Sequence, residues 1–530
     1  MLLKIKENYS RILLVAGVVV ALFIRYLCLD FESFDYMGFI SKWVQYFRDN
    51  GGFYGLKNQI GDYNVVYQYI MAICSYFEIS SLYTSKFFSI VADFMLAFGC
   101  CRVLSHFGVK KELRHLLFIT ILLLPTVWLN SAFWGQCDSI YVGFIVWSLY
   151  FLLEGKNYRS VILLALAFTF KLQTVFFMPV FFLLLVKRQI KFRHLLMFPI
   201  TCYVTCIPAL LFGKPFGDIV GIYFNQMSEY PWLSMNAPTF WQMINVVTPD
   251  ATLEKVGILL AGVVVVVLLA LCFLKKDRVS DKMLLSLALL LGVGIPFFLP
   301  HMHDRYFYLA DILSVVCVFV FGLRRIGIAL CIQYASLTCY LHYFGVVNLY
   351  GGKILPIIMT SQISGGLMLL SLVLLLLYFI CDFRSAGKLP AKKLSGFAFA
   401  GVLLVFILTQ IVSPNPISVK VNGKHVCFVG VTPYEQGETV MVPIKGFLNS
   451  AGYFISVSHE TGRVTASKGE RFVEFVFAED GVIINGERKE LIYPHVNVNS
   501  NNYLSSKDLS MICEMTEHYE NGSLVFEAIG

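Results

Sequence analysis

Long apolar segments recur along most of the chain, and short polar loops separate them. A helix needs roughly 20 apolar residues to cross the hydrocarbon core of a bilayer, so this pattern predicts a polytopic α-helical membrane protein. Of the 530 residues, 14% are charged, against about 25% in a soluble protein. The net charge of +8 is spread over short loops, which does not fit a nucleic-acid-binding face.

Lysine and arginine residues are concentrated in alternate loops. The basic set consists of the N-terminus and residues 102–114, 154–159, 187–193, 275–282, 324–325 and 384–393. The other set consists of residues 30–83, 131–138, 213–254, 301–305, 346–361 and the chain after 413. Short cytoplasmic loops collect Lys and Arg, so the first set is predicted to be cytoplasmic and the second extracytoplasmic. We therefore expect a multi-pass protein of the cell membrane with a cytoplasmic N-terminus, formed by an uncleaved signal anchor, and an extracytoplasmic C-terminus.

Two apolar segments complicate the count of crossings. The alternation of loops holds if residues 63–77, which are aromatic and only moderately apolar, form an interfacial helix rather than a span. Counting them as a span would place residues 110–114 outside. Residues 161–186 are interrupted by Lys171 and Gln173, and form either a thin two-helix hairpin or a re-entrant one, with Lys171 near the outer apex. The chain then crosses about eleven to thirteen times.

The C-terminal region has a different pattern. A last predicted span at residues 395–412 is followed by a Ser-Pro-Asn-Pro linker, and residues 417–530 alternate apolar and polar side chains at the period of a strand. The segment that begins at Val442 is repeated at Leu504, which predicts two copies of a helix followed by a β-hairpin. We expect a membrane domain at 1–413 and an extracytoplasmic α+β domain at 417–530.

A first polar cluster follows the first span and contains Asp30, Asp35 and Asp62. A carboxylate held just above the lipid surface is suited to act as a general base for the hydroxyl group of a sugar or lipid. Asp35 precedes an amphipathic segment that should lie along the interface and fix its height. The alternative is that these acids are solvated loop residues.

A second cluster contains Trp134, Gln136 and Asp138. Gln136 and Asp138 have the hydrogen-bonding groups that sugar hydroxyls need, and Trp134 is suited to stack on a sugar ring. The alternative is an interfacial aromatic anchor followed by a helix N-cap at Asp138 or Ser139.

A third cluster contains His301, His303 and Arg305 at the predicted start of a helix. This composition suits an anionic phosphate. The alternatives are a plain polar turn and a metal site formed by the two histidines with Asp304. Lys171 lies alone in an apolar segment, where it either meets an anion or extends to the membrane surface.

The order of these motifs resembles the GT-C superfamily of membrane glycosyltransferases, in particular enzymes that use a polyprenyl-phosphate hexose, such as dolichyl-phosphate-glucose glucosyltransferases and bacterial mannosyltransferase-like proteins. Asp35-Tyr followed by Trp43 looks like the acidic motif of the first outer loop, in which Asp is the catalytic base. His301-Met-His-Asp-Arg305 looks like the family's His-x-His-Glu-Lys motif, and Phe170-Lys-Leu-Gln173 is similar to its Phe-Lys-Gln segment. The family's Asp-Tyr-Pro-Pro-Leu segment corresponds to Gly61-Asp-Tyr-Asn64, which lacks the prolines.

The C-terminal region, with Val421-Asn-Gly-Lys424 and its duplicated unit, resembles the copper amine oxidase N-terminal-like stalk domain. The histidines of this region are scattered rather than clustered as copper ligands. The resemblance implies a non-catalytic surface module that positions the enzyme or contacts the cell wall.

The resemblance implies an inverting hexosyltransferase at the outer membrane face. Asp35 is the expected general base. The donor phosphate is expected to contact His301, His303, Arg305 and Lys171, and the sugar or acceptor Asp30, Asp62, Trp134, Gln136 and Asp138. The expected partners are a polyprenyl-phosphate-linked donor, membrane lipids and an acceptor glycan, lipid or protein, with no cofactor indicated. The alternatives are a flippase or transporter of a lipid-linked sugar, and a lipid-linked glycan polymerase or ligase.

Overall fold

The computed structural model describes most of the chain. The described residues are 2–228, 232–274, 278–344, 346, 359–383, 417–426, 428, 433–457, 464–469, 471–476, 481–498, 501–520 and 523–528. The predicted last span at 395–412 lies outside them. The chain divides into two compact units. The first takes in the described residues of Met1–Met243, Pro249–Tyr340 and Gln362–Phe406, and the second those of Ile244–Thr248, Leu341–Ser361 and Ile407–Gly530.

Helices dominate the first unit, as the apolar segments predict. Those of the N-terminal half are α1 Leu2–Leu27, α2 Ser41–Asp49, α3 Val65–Ser75, α4 Ser81–His106, α5 Lys111–Leu123, α6 Pro125–Trp128, α7 Asp138–Leu153, α8 Asn157–Phe170, α9 Met178–Val186, α10 Phe192–Leu195, α11 Met197–Leu211 and α12 Phe216–Ser228. The others that the structure describes are α13 Phe240–Met243, α14 Ala251–Leu274, α15 Asp281–Phe298, α16 Tyr308–Phe321, α17 Ile326–Tyr343 and α18 Ser361–Phe383. Two short parallel strands, β1 Ser234–Met235 and β2 Met302–His303, join the loops before α13 and α16.

Six helices among the described residues are long and apolar enough to cross a membrane, or seven if the bent pair Lys111–Leu123 and Pro125–Trp134 counts as one span. The six are Asn8–Leu27, Ser81–His106, Phe192–Leu211, Ala251–Phe273, Asp281–Phe298 and Ser361–Cys381. Five further apolar helices are shorter. This is a polytopic helical membrane protein, and the predicted count of eleven to thirteen crossings stays a prediction.

Burial distinguishes the central helix from the peripheral ones. In α15, 83% of the most apolar 18-residue stretch is buried within the protein, because α14, α16 and α9 pack around it. In α1 the buried share is 17%, and in α14 it is 22%. A helix that is apolar on all sides but little buried by protein has its remaining surface covered by lipid in a membrane.

The loops associate within the two sets that the charge pattern defines. Among the basic set, His106 contacts Glu154 at 2.9 Å and Asp281 at 2.8 Å, and Gln189 binds the backbone of Val279 at 3.0 Å. Among the other set, Asp35 accepts hydrogen bonds from Trp134 and Gln136. The grouping of loops thus agrees with the predicted alternation, while the side of the membrane on which each group lies stays a prediction.

The two irregular segments have short helices. Helix α3, with 11 residues, is about 16 Å long at the usual rise, too short to cross a bilayer. Residues 161–186 form two short helices that break at Lys171, whose backbone is extended at φ −152° and ψ 132°. The predicted interruption at Lys171 is confirmed. The spanning hairpin and the re-entrant hairpin both stay predictions.

The second unit contains three antiparallel or mixed sheets around an apolar core. Its helices are α19 Ile444–Ser450 and α20 Ser506–Cys513. Its strands are β3 Ser418–Val421, β4 Lys424–His425, β5 Tyr434–Gln436, β6 Thr439–Pro443, β7 Phe454–Val457, β8 Val464–Lys468, β9 Arg471–Val476, β10 Gly481–Ile484, β11 Glu487–Glu490, β12 Val496–Val498, β13 Asn501–Ser505, β14 Met515–Glu520 and β15 Ser523–Ala528. The sheet orders are β11-β10-β9-β8-β7, β12-β13-β6-β5 and β14-β15-β3-β4.

The predicted duplication is present in the structure. Strand β6, helix α19 and the β7–β8 hairpin form one copy, and strand β13, helix α20 and the β14–β15 hairpin form the other. The two copies meet because β6 and β13 pair antiparallel. In the turn between β10 and β11, Asn485 and Gly486 both have positive φ, 50° and 90°, which is the conformation that a tight hairpin requires.

Candidate active site

Asp35 lies in the loop that links α1 to α2, at the start of a π-helical turn, Tyr36–Ile40. Its Oδ2 atom accepts hydrogen bonds from Trp134 Nε1 at 3.0 Å and Gln136 Nε2 at 2.5 Å. Its side chain retains 22% exposure. Two donors from one neighbouring segment therefore fix the carboxylate while part of it stays accessible.

The segment that supplies these donors follows a bend of 49° after helix α5, where Pro125 begins a new helix. Gly135 then adopts φ +81°, a left-handed conformation that glycine takes at no steric cost. This turn directs the side chains of Trp134 and Gln136 toward Asp35. Ser33 Oγ also donates to the carbonyl of Trp134 at 2.7 Å, which joins the two loops a second time.

Asp138 begins helix α7 and is completely buried. Its Oδ1 accepts from Lys171 Nζ at 2.5 Å, and its Oδ2 accepts from Asn130 Nδ2 at 2.8 Å. The Lys171 ammonium also lies 5.9, 5.7 and 5.8 Å from the ring centroids of Tyr63, Tyr141 and Tyr306. An ion pair in so apolar a setting is stable only because both charges are compensated.

Arg305 lies between three carboxylates. Its Nη1 atom is 3.7 Å from both Asp35 Oδ2 and Asp304 Oδ1, and its Nε atom is 3.7 Å from Asp138 Oδ2. These separations are too long for hydrogen bonds, and the buried Nε has no hydrogen-bond partner among the described residues. The guanidinium also lies 5.1 Å from the Trp134 ring. The Nε–H of Arg305 is therefore not committed to a described protein acceptor, and a guanidinium is suited to bind an anionic ligand.

Burial shifts the titration of the two neighbours of Arg305 in this loop. It raises the pKa of the Asp304 carboxyl to about 7. The positive charge of Arg305 acts to lower this pKa, and the charges of Asp35 and Asp138 act to raise it. Burial also lowers the pKa of His303 well below its ordinary value, with the charges of Arg305 and Lys171 acting in the same direction. His303 is therefore neutral near pH 7 and would bind a phosphate as a hydrogen-bond donor rather than as a cation.

The recorded contacts of three further predicted site residues are with residues outside this cluster. His301 donates from Nδ1 to the carbonyl of Trp232 at 2.9 Å and approaches Glu254 at 3.6 Å. Asp30 accepts from Tyr83 Oη at 2.7 Å at the exposed edge of the loop. The carbonyl of Asp62 accepts from Gln226.

The structure does not support the two structural alternatives for the second motif, the interfacial anchor and the helix N-cap. Trp134 has no exposed surface, so it is not an interfacial anchor. Neither Asp138 nor Ser139 caps helix α7: the cap position is Cys137, and the Asp138 carboxylate pairs with Lys171. In this structure Trp134 and Asp138 support their neighbours rather than lie open to a ligand. Their predicted contacts with a sugar or acceptor stay predictions.

A buried polar network behind the site was missed at the sequence level. Arg25 donates to Asp93 Oδ2 at 3.0 and 2.7 Å, and Ser131 donates to the same atom at 2.5 Å. Ser139 donates to Asp93 Oδ1. These bonds tie the Trp134–Asp138 segment to helices α1 and α4. The available signal was a charged residue of each sign within neighbouring apolar segments.

Residues 63–300 match the family Glycosyltransferase family 87, whose members are GT-C type membrane enzymes. Residues 420–526 match the family Copper amine oxidase N-terminal domain. No curated protein matches the chain. The protein is a membrane glycosyltransferase.

The family match covers only part of the glycosyltransferase site. It includes Trp134, Asp138 and Lys171, and it excludes Asp35 and Arg305. Only the folded structure places those two outlying residues against the matched region. In the described residues no group of three His, Cys, Asp or Glu side chains is arranged to hold a metal ion, so the alternative of His301, His303 and Asp304 as metal ligands gains no support.

Proposed function

We propose that the glycosyltransferase moves a hexose from a polyprenyl-phosphate carrier to an acceptor hydroxyl with inversion at the anomeric carbon. The observation that carries this proposal is the 3.7 Å separation between Asp35 Oδ2 and Arg305 Nη1. It places a partly exposed carboxylate beside a cation whose Nε has no hydrogen-bond partner among the described residues. A base and a phosphate-binding group in one cluster supply the two functions that a single displacement needs.

Each step of the displacement has a residue suited to it. Asp35 accepts the proton of the acceptor hydroxyl as its oxygen attacks the anomeric carbon. The bond from that carbon to the phosphate oxygen breaks, and the polyprenyl phosphate leaves with the electron pair. Arg305 neutralises the charge that develops on the leaving group, and neutral His303 donates a hydrogen bond to it.

Lys171 and Asp138 have a supporting role in this proposal. Lys171 holds Asp138 at 2.5 Å, and a phosphate contact would require it to leave that carboxylate. With Lys171 in place, the Asp138 carboxylate lies 3.7 Å from Arg305 Nε without a direct hydrogen bond. The carboxylate of the pair therefore attracts Arg305 without a hydrogen bond, which leaves the guanidinium able to bind a phosphate.

We assign the reaction to the outer face of the cell membrane, with the N-terminus in the cytoplasm. The support is the charge rule applied to the loops, because Asp35, Gln136 and Arg305 all belong to the set that is poor in Lys and Arg. The acceptor is a hydroxyl of a glycan, lipid or protein. The C-terminal unit is a surface module in this proposal and takes no part in the chemistry.

The test compares two acidic residues of the same loop. Asp35→Asn should reduce transfer from a polyprenyl-phosphate hexose by about 10²- to 10⁴-fold, since a general base contributes that much, while the purified protein keeps its thermal stability in detergent. Glu32→Gln, at an exposed position, is the matched control and should retain activity. Unchanged transfer by Asp35→Asn would remove the base from the proposal. Movement of the intact lipid-linked sugar across vesicles without transfer would favour a flippase instead.

A further inference from the structure

Lys86 is a completely buried lysine near the beginning of helix α4. Its Nζ atom donates to three backbone carbonyls, those of Cys28 at 2.9 Å, Leu29 at 2.9 Å and Phe31 at 2.7 Å. An ammonium group has three N–H donors, and each is directed to one of these oxygens.

These carbonyls belong to the turn that follows the last residue of α1, Leu27. Carbonyls in such a turn lie beyond the hydrogen-bond pattern of the helix, and leaving a carbonyl unpaired in an apolar setting is costly. Lys86 supplies a donor to all three, and the Cys28 carbonyl also accepts from the backbone N–H of Phe31 at 3.3 Å. The same turn leads to Ser33, which bonds to the Trp134 carbonyl, and then to Asp35. The position of the Asp35 loop is therefore set at its beginning by Lys86.

The stem of the same side chain borders the second loop of the site. A methyl group added at Gly135 would lie 3.8 Å from Lys86 Cγ and 3.9 Å from Lys86 Cε. Gly135 lies between Trp134 and Gln136, the two residues that donate to Asp35. One buried side chain thus donates to the turn before Asp35 and borders the loop that carries the hydrogen-bond donors of Asp35.

We infer that Lys86 is a positioning residue that holds the Asp35 loop in register with the Trp134–Gln136 loop. This inference rests on the proposed role of Asp35 as the general base. Lys86 does not touch the substrate. It acts on the direction of the Asp35 carboxylate, and a shift of about 1 Å in a reacting group is enough to slow a reaction about 10²-fold.

The central experiment replaces Lys86 by Met, which keeps the length of the stem and removes the ammonium. For the full-length enzyme with a polyprenyl-phosphate hexose, kcat should fall about 10- to 100-fold while the KM for the donor changes much less. Hydrogen exchange of the peptide covering residues 28–36 should become faster. A fall in apparent kcat that is no larger than the loss of folded protein, or unchanged exchange in this peptide, would overturn the inference.

Tyr83→Phe is the matched control. Tyr83 lies on the same helix and donates to Asp30 in the same loop at 2.7 Å, but at an exposed site. Its loss should change kcat by about twofold at most.

Lys86→Arg is a second variant, which keeps the cation and should fold. It should recover part of the lost kcat, because the guanidinium can still reach some of the carbonyls. Recovery no better than with Met would argue against the inference.

The double variant separates the two proposals. If Lys86 acts through Asp35, then adding Lys86→Met to Asp35→Asn should lower the residual rate much less than it lowers the wild-type rate. Equal factors in both backgrounds would show that Lys86 acts elsewhere. If Asp35→Asn itself leaves transfer intact, the base assignment fails, and the exchange of residues 28–36 still reports whether Lys86 fixes the loop.

Discussion

Arg305 Nη1 lies 3.7 Å from Asp35 Oδ2. In the sequence, Asp35 precedes the matched family region and Arg305 follows it. Asp35 follows the first helix and Arg305 precedes α16. The helices between them return both loops to one place. The proposed chemistry depends on this proximity, since neither residue could act on one substrate if they lay far apart.

The first prediction concerns the geometry of Arg305. Arg305→Lys keeps the charge but loses the planar set of donors that matches a phosphate. We expect kcat/KM for the lipid-linked donor to fall about 10- to 100-fold, the range for losing a hydrogen bond to a charged group. Steady-state kinetics with purified enzyme measures this. Wild-type kinetics in the Lys variant would show that a point charge is sufficient and that the donor fork is not used.

The second prediction concerns the buried Asp138–Lys171 pair. Either Asp138→Asn or Lys171→Met alone leaves one uncompensated charge in the core, which typically costs about 3 to 5 kcal/mol. The double variant should lose much less stability than the two single losses added together. Thermal unfolding of the three variants in detergent measures the coupling. Additive losses would mean that the two charges do not depend on each other.

The third prediction is a pH dependence that comes from Asp304. Its pKa is raised from 3.8 to about 7 in the folded protein by burial, so the folded state holds this proton while the unfolded state releases it near pH 4. Stability must therefore fall as pH rises from about 4 to about 7, by up to about 4 kcal/mol.

Asp304→Asn has no proton to lose and is the comparison for this effect. The difference in melting temperature between wild type and Asp304→Asn should be smallest near pH 4 and should grow in favour of the variant up to about pH 7. Melting curves across this pH range provide the measurement. A difference that is constant with pH would show that Asp304 is ionised in the folded enzyme throughout.

The fourth prediction concerns the C-terminal unit. Asp508 is completely buried and accepts from the backbone N–H of Ile492 at 2.6 Å and from Ser505 Oγ at 2.5 Å. Asp508→Ala leaves these donors unpaired, at a cost of about 1 to 3 kcal/mol for each buried group. Hydrogen exchange of the strands around it should accelerate in the full-length protein, whereas Glu487→Ala on the exposed strand β11 should have no such effect.

Local patterns in the sequence were sufficient for the architecture. Apolar length fixes which segments form membrane helices, and the interruption at Lys171 appears in the structure as a break between two helices. The repeat that begins at Val442 and Leu504 gave the two matching units of the C-terminal fold. These features depend on the side-chain order within one segment, so they can be read without knowing how segments pack.

The site itself could be anticipated only in part. Residue types marked Asp35, Gln136 and Arg305 as candidates, but each also had a plain structural explanation. The sequence offered no reason to expect that Trp134 would be buried, or that the anion that Lys171 meets would be the Asp138 carboxylate. Those outcomes depend on which helices become neighbours and in what register.

The sequence by itself determined a many-helix membrane protein with a duplicated α+β module and a small set of polar residues costly to keep near lipid. Tertiary structure alone decided that Asp35 meets Trp134, Gln136 and Arg305, and that Lys86 joins their loops. The physical reason is range. Hydrophobic length and period act within a segment, whereas a hydrogen bond or an ion pair requires atoms from distant segments to meet within a few ångströms.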